Sequence, residues 1–200
     1  MSLDYFSLDW HAFVGVASGV LSVASLIPYV RDILKGGDTK PNAVSFFLWT
    51  VLEVIVLMAQ IRAGASWSIL ILIGMTFNTT LVTILALAGY GHKEYGILEL
   101  ICAMLGLLAI VCWQLSGQPL LAILLCILAD SFAAIPTLVK TYRNPQSEHV
   151  LSWSLITLSA LCAIVASNIF NIANLAYPIY SFFVNGSIFS FAYFGRKRKK

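Results

Sequence analysis

Charge is what this sequence has least of. Asp, Glu, Lys and Arg make up 10% of the 200 residues, against a hydrophobic share of 60% and a mean hydropathy of +0.88. Soluble domains carry about 25% charged residues. So little polar surface excludes a water-soluble globule and makes the bilayer the solvent. The alternating segments of about 10 residues that mark a membrane barrel are also missing. The N-terminal "MSLDYFSLDW" has no Lys or Arg. It lacks the basic start of a secretory leader, so the first apolar segment is expected to be retained. The four cysteines, Cys102, Cys112, Cys126 and Cys162, form no CxxC or Cys/His ligand spacing. They are expected to be small packing residues, with no metal held. HExxH and GxSxG are absent, and His11, His92 and His149 fall at or beyond the ends of apolar runs. That argues against an intramembrane enzyme. The last apolar segment contains no Lys, which argues against a retinal Schiff base.

What the sequence does have is seven apolar segments: 12–34, 43–62, 67–88, 95–113, 118–140, 150–167 and 171–194. Helices of these lengths reach across a hydrocarbon core about 30 Å thick at about 1.5 Å per residue, the sixth near the lower limit. Short polar connectors separate them. The first, third and fifth connectors and the tail hold Arg31, Lys35, Lys40, Lys93, Lys140, Arg143 and the basic run 196–200; the other side holds only Arg62. By the positive-inside rule the C-terminus is cytoplasmic and the N-terminus outside. The tail "RKRKK" then reads as a topology anchor touching anionic headgroups. Trp10, Trp67, Trp113 and Trp153 lie near segment ends, as interfacial belts require.

The segments repeat. "SLIPYVRDILKGGDTKPNAVSF" from Ser25 has a second version, "AAIPTLVKTYRNPQSEHVLSW", from Ala133. Ile27-Pro28 and Ile135-Pro136 are 108 residues apart, as are Lys35 and Arg143. The second loop is one residue shorter, so Val44-Ser45 matches Leu151-Ser152, and Asn78 matches Asn185, at an offset of 107. Residues 1–90 and 118–200 are thus predicted to be three-helix repeats, joined by a linker helix within 91–117. Three helices followed by one bring the chain back to its starting side. The repeats are therefore parallel, related by an axis along the membrane normal, with a substrate site between them near the midplane.

This arrangement resembles the PQ-loop and SWEET transporter superfamily. The resemblance covers nearly the whole chain: the 3+1+3 layout, the proline near the cytoplasmic end of helices 1 and 5, the "VS" and "LS" opening helices 2 and 6, and the paired asparagines. The chain departs from the family at its Pro-Gln dipeptide, which is Pro28-Tyr29 and Pro136-Thr137 here, and helices 2 and 6 carry no proline. The literal Pro145-Gln146 falls in the next loop. The resemblance therefore implies the architecture and alternating access, while leaving the solute open. It also implies that Pro28 and Pro136 act as hinges beneath a cytoplasmic gate. Proline removes an i to i−4 hydrogen bond and kinks the helix, although a static kink or a helix end would explain both residues equally well.

Asn78 and Asn185 are the leading substrate-binding candidates. A mid-helix amide faces the bundle interior, where it either binds a solute or bonds a neighbouring helix. At equivalent depth in two repeats, the pair is expected to face across the axis. Trp49 is placed to stack on a solute ring, or simply to pack. Asp130 in helix 5, opposite Ser22 in the repeat, is the expected proton-coupling residue, and Glu53 its rival. A carboxylate at that depth costs about 2.5–3.5 kcal/mol unless protonated or paired. Asn168, Asn171 and Asn174 in the outer connector are expected to serve as caps or turns.

The chain is thus expected to be an all-α integral membrane protein of the plasma membrane that carries a small polar solute, such as a sugar, amino acid or vitamin-like compound. No cofactor, metal or nucleic acid is expected. Its partners are the solute and membrane lipids, and a homo-oligomer stays open. The rival reading is a membrane receptor or scaffold without transport.

Overall fold

The computed structural model describes residues 10–41, 43–91 and 96–198. Among them only helices form: α1 (Trp10–Leu34), α2 (Ala43–Gly64), α3 (Ile69–Leu85) with a π-helical turn at Ala86–Tyr90, α4 (Ile97–Ser116), α5 (Pro119–Arg143), a 3-10 turn at Pro145–Ser147, α6 (Val150–Ala166) and α7 (Ile172–Arg198). Trp10–Leu34, Ser45–Gly64, Ile69–Tyr90 and Pro119–Arg143 are long and apolar enough to cross a membrane; α6 is apolar but has 17 residues. Helix is the form such sequences take, because it satisfies every backbone polar group within one segment. The surface agrees with an apolar solvent. Phe13 is 70% exposed and Ile27 67%, while Ser18, Ser159 and Gln60 are fully buried. Many large apolar side chains thus face outward, while these polar ones face inward among a buried apolar core.

Local signals set the helix ends. α4 stops at Ser116, where Gly117 takes a φ of 62°, a left-handed conformation that ends helices at low cost to glycine. Pro119 then opens α5, where its missing N–H matters least. Asn171 caps α7, its Oδ1 accepting the Asn174 N–H at 2.9 Å. Helix ends move by a few residues from expectation: the segment read as 118–140 runs to Arg143, and that read as 171–194 runs to Arg198.

Packing follows one circuit. α1 packs on α3, α3 on α2, α2 on α5, α5 on α7, α7 on α6, and α6 back on α1. α4 sits outside this ring against α5 and α2. Small residues let the ring close. A Cβ at Gly74 of α3 would meet Ser22 at 2.7 Å and the Gly19 carbonyl of α1 at 3.1 Å, so only glycine permits that approach. Between α1 and α6, Ser18 Oγ donates to the Ser159 carbonyl at 2.8 Å, and Ser159 Oγ returns a bond to the Ser18 carbonyl at 2.7 Å. Replacing Ser159 by alanine is expected to destabilise the protein by about 0.6 kcal/mol, the usual size of an interhelical bond in a membrane bundle. An SDS-unfolding titration in mixed micelles measures it.

Candidate functional site

The helix circuit encloses a cavity of about 100 Å³. Every ring helix contributes to its wall: α1 through Tyr29, α2 through Trp49 and Glu53, α3 through Asn78, α5 through Asp130, α6 through Trp153 and α7 through Asn185, among others. No described residue of α4 does. The sequence candidates Asn78, Asn185, Trp49, Glu53 and Asp130 therefore share one cavity. Three pairs of wall residues are separated by the same 107 positions: Phe46 with Trp153, Trp49 with Ile156, and Asn78 with Asn185.

Asn78 divides its two roles between its two ends. Its Nδ2 donates to the Ser22 carbonyl at 2.6 Å and to Ser25 Oγ at 3.2 Å, which ties α3 to α1. Its Oδ1 is buried without a hydrogen-bond partner, an uncompensated acceptor of the kind that calls for an explanation. Asn185 is held by its own helix, with Nδ2 donating to the Ser181 carbonyl and to Ser181 Oγ at 2.8 Å each. The two amides line the same cavity, and each spends its donors on the protein.

The carboxylates are enclosed. Glu53 is 2% exposed and accepts from Thr79 Oγ1 at 2.7 Å. Asp130 is 8% exposed, with the polar atoms of Tyr180, Trp49 and Tyr177 grouped around it. Trp49 Nε1 is buried and directed at this carboxylate. The two carboxylates lie within electrostatic reach of each other, and among the described residues no Lys, Arg or His lines the cavity. Ser22, 108 positions before Asp130, is buried against Gly74, and Ala160, 107 positions after Glu53, packs with Ile71 and Ala163. Neither carboxylate has an acidic residue at its matching offset.

Pro28 lies inside α1, which continues to Leu34. It is not a helix end, and it leaves the Ala24 carbonyl without its usual donor. Position 136 lies within α5. The side chains of Pro136, Cys102 and Trp113 lie outside the described part, as do His92, Lys93, Lys199 and Lys200 altogether.

Other residues differ from their sequence reading. Trp153 was expected in an interfacial belt. It is 8% exposed, lines the cavity, and donates Nε1 to Glu148 Oε2 at 2.8 Å. Asn174 does more than shape a turn: its Oδ1 accepts the Ser66 N–H and its Nδ2 donates to the Gly64 carbonyl, fixing the α2–α3 connector to α7. The sequence reading missed Glu148 completely. It is 1% exposed at the cavity end where α1 and α5 finish, and it pairs with Lys140 Nζ at 2.7 Å. Tyr29 OH reaches it at a long 3.4 Å, and Arg196 Nη2 donates to its carbonyl at 2.7 Å. The only sequence signal was an acidic residue among basic ones in a polar connector, which reads as solvated. Pro178, inside α7, was also missed.

Compared with models of protein families, with curated proteins and with solved structures, the chain matches none.

Proposed function

We propose that this chain is a membrane transporter of a small polar solute, working by alternating access around the cavity within the helix ring. The observation that carries the reading is a ring of six helices around a mostly apolar cavity into whose wall Glu53, Asp130, Asn78 and Asn185 are set. A packing core needs no such groups, and burying them has a cost. The reading takes 1–90 and 118–200 as parallel repeats about a linker span, seven spans in all, with the N-terminus outside and the C-terminus cytoplasmic in the plasma membrane. The ring contacts support it. Exchanging α1 with α5, α2 with α6 and α3 with α7 turns each contact of the circuit into another of its contacts. The resemblance to the PQ-loop and SWEET superfamily is proposed on the same basis. In this reading Pro28 and Pro136 act as hinges, Asn78, Asn185 and Trp49 meet the solute, and Asp130, with Glu53 beside it, carries a coupled proton.

Reconstituted protein should take up a labelled solute from a panel of sugars, amino acids, vitamins and amines. Asn78→Ala combined with Asn185→Ala should reduce that uptake to background while the protein still elutes as a folded species. Failure of every solute to bind or enter would overturn the transporter reading in favour of a receptor or scaffold.

A further inference from the structure

The cavity has a charge that selects among solutes. Glu53 and Asp130 face it, and no described basic residue does. Asp130 is faced by Glu53 and Trp49 of α2, by Tyr177 and Tyr180 of α7, and by Cys126 of its own helix. Glu53 is faced by Thr79 of α3, Tyr177 of α7 and Asp130. All these neighbours are neutral or acidic, so within the described wall nothing but a proton or a bound cation neutralises the pair. A neutral sugar would leave neutralisation of the carboxylates to protons alone, and an anion would be repelled by them whenever they are ionised.

The rest of the wall gives a second, independent indication. Six aromatic residues line it: Tyr29, Phe46 and Trp49, with Trp153, Tyr177 and Tyr180. Phe46 and Trp49 meet edge to face with centroids 5.0 Å apart, and Tyr177 and Tyr180 lie 6.0 Å apart. Ring faces attract ammonium groups, and desolvation strengthens the attraction. Trp49 Nε1 lies beside Asp130 in the same wall, and Asn78 Oδ1 is a buried acceptor without a partner.

We infer that the solute is a small organic cation of the amine or quaternary-ammonium class, held between the Glu53–Asp130 pair and the aromatic wall. This rests on the transporter reading and names its substrate class. Cation and proton occupy the same carboxylates in turn, so each displaces the other.

Two measurements on the full chain in lipid test the inference. Choline, tetramethylammonium and ethanolamine are titrated against intrinsic tryptophan fluorescence, since Trp49 and Trp153 line the cavity. The neutral isostere 3,3-dimethyl-1-butanol is the control. In parallel, proteoliposomes are given labelled choline, ethanolamine, glucose and glutamate. At least one cation should quench saturably where the isostere does not, and a labelled cation should enter. Glu53→Gln and Asp130→Asn should each weaken the cation by about tenfold or more. Trp49→Phe should retain much of the binding that Trp49→Leu loses, which guards against a variant that merely misfolds. Entry of glucose or glutamate with no cation binding would overturn the cation class while leaving the transporter standing. Binding of a cation without entry of any solute would support the site and overturn transport. Neither binding nor entry by any probe would overturn both.

Discussion

Replacing Glu148 by alanine should destabilise the protein by about 3 kcal/mol, more than any other single polar substitution outside the cavity. The carboxylate is 1% exposed and serves two sides. Oε2 accepts Trp153 Nε1 at 2.8 Å and Tyr29 OH at 3.4 Å, while Oε1 pairs with Lys140 Nζ at 2.7 Å. Removing it strands two buried donors, each of which costs roughly 1–3 kcal/mol when unpaired, with the long tyrosine bond at the low end. Lys140 contributes less. Its side chain is 36% exposed, so water replaces much of the ion pair, and screening limits the pair to about 1 kcal/mol. The substitutions should therefore rank Glu148→Ala, then Glu148→Gln, then Lys140→Met in decreasing cost. Glutamine keeps an acceptor for the indole but gives up the charge. SDS unfolding followed by near-ultraviolet circular dichroism reads all three. A Lys140→Met loss equal to that of Glu148→Ala would show that the ion pair, and not the buried acceptors, holds this end of the bundle.

Glu148 also shows why part of this molecule was legible from sequence and part was not. Helix positions follow from apolar length, because a bilayer admits few alternatives to helix. The cavity residues were legible for a related reason. A polar side chain in an apolar run stands out, and Asn78, Asn185, Glu53 and Asp130 all reach the same space. Side-chain partners did not follow. Nothing in the local sequence says that Thr79 rather than water or a cation meets Glu53, or that Ser22 and Ser25 hold Asn78. Connectors were the least legible. Their residues are polar whether solvated or buried, so Glu148 and Asn174 looked like ordinary loop residues until the helices brought Trp153, Tyr29 and the α2–α3 connector against them. Trp153 failed for the opposite reason. Position near a segment end suggests an interfacial ring, but its helix face turns it toward the cavity, and one tryptophan within a nearly uniform apolar helix carries no mark of which way it faces.

Asp130→Asn should abolish the pH dependence of uptake. In the proposed mechanism, protons and a cationic solute compete for Asp130 and Glu53. Acidifying the outer medium protonates the pair and slows uptake, and raising the outer pH frees the carboxylates and speeds it. An inside-acid gradient should drive accumulation, because each proton that binds inward-facing protein displaces a solute there and is released once the protein faces outward. Asparagine keeps the shape and the hydrogen-bonding neighbours Tyr177 and Tyr180 but cannot exchange a proton. The variant should therefore take up solute at a rate insensitive to outer pH. Its affinity should be lower by about tenfold or more, from loss of a charge-assisted contact of roughly 1.5–3 kcal/mol. Glu53→Gln is the informative partner. Glu53 is clamped by Thr79 at 2.7 Å and is 2% exposed, so it is the less free of the two to exchange protons with either side. It should lose affinity and keep its pH dependence. Asp130→Asn protein that still responds to pH, alongside Glu53→Gln protein that does not, would transfer the coupling role to Glu53. Flat responses in both would mean that the two carboxylates titrate as one unit, with neither carrying the proton alone.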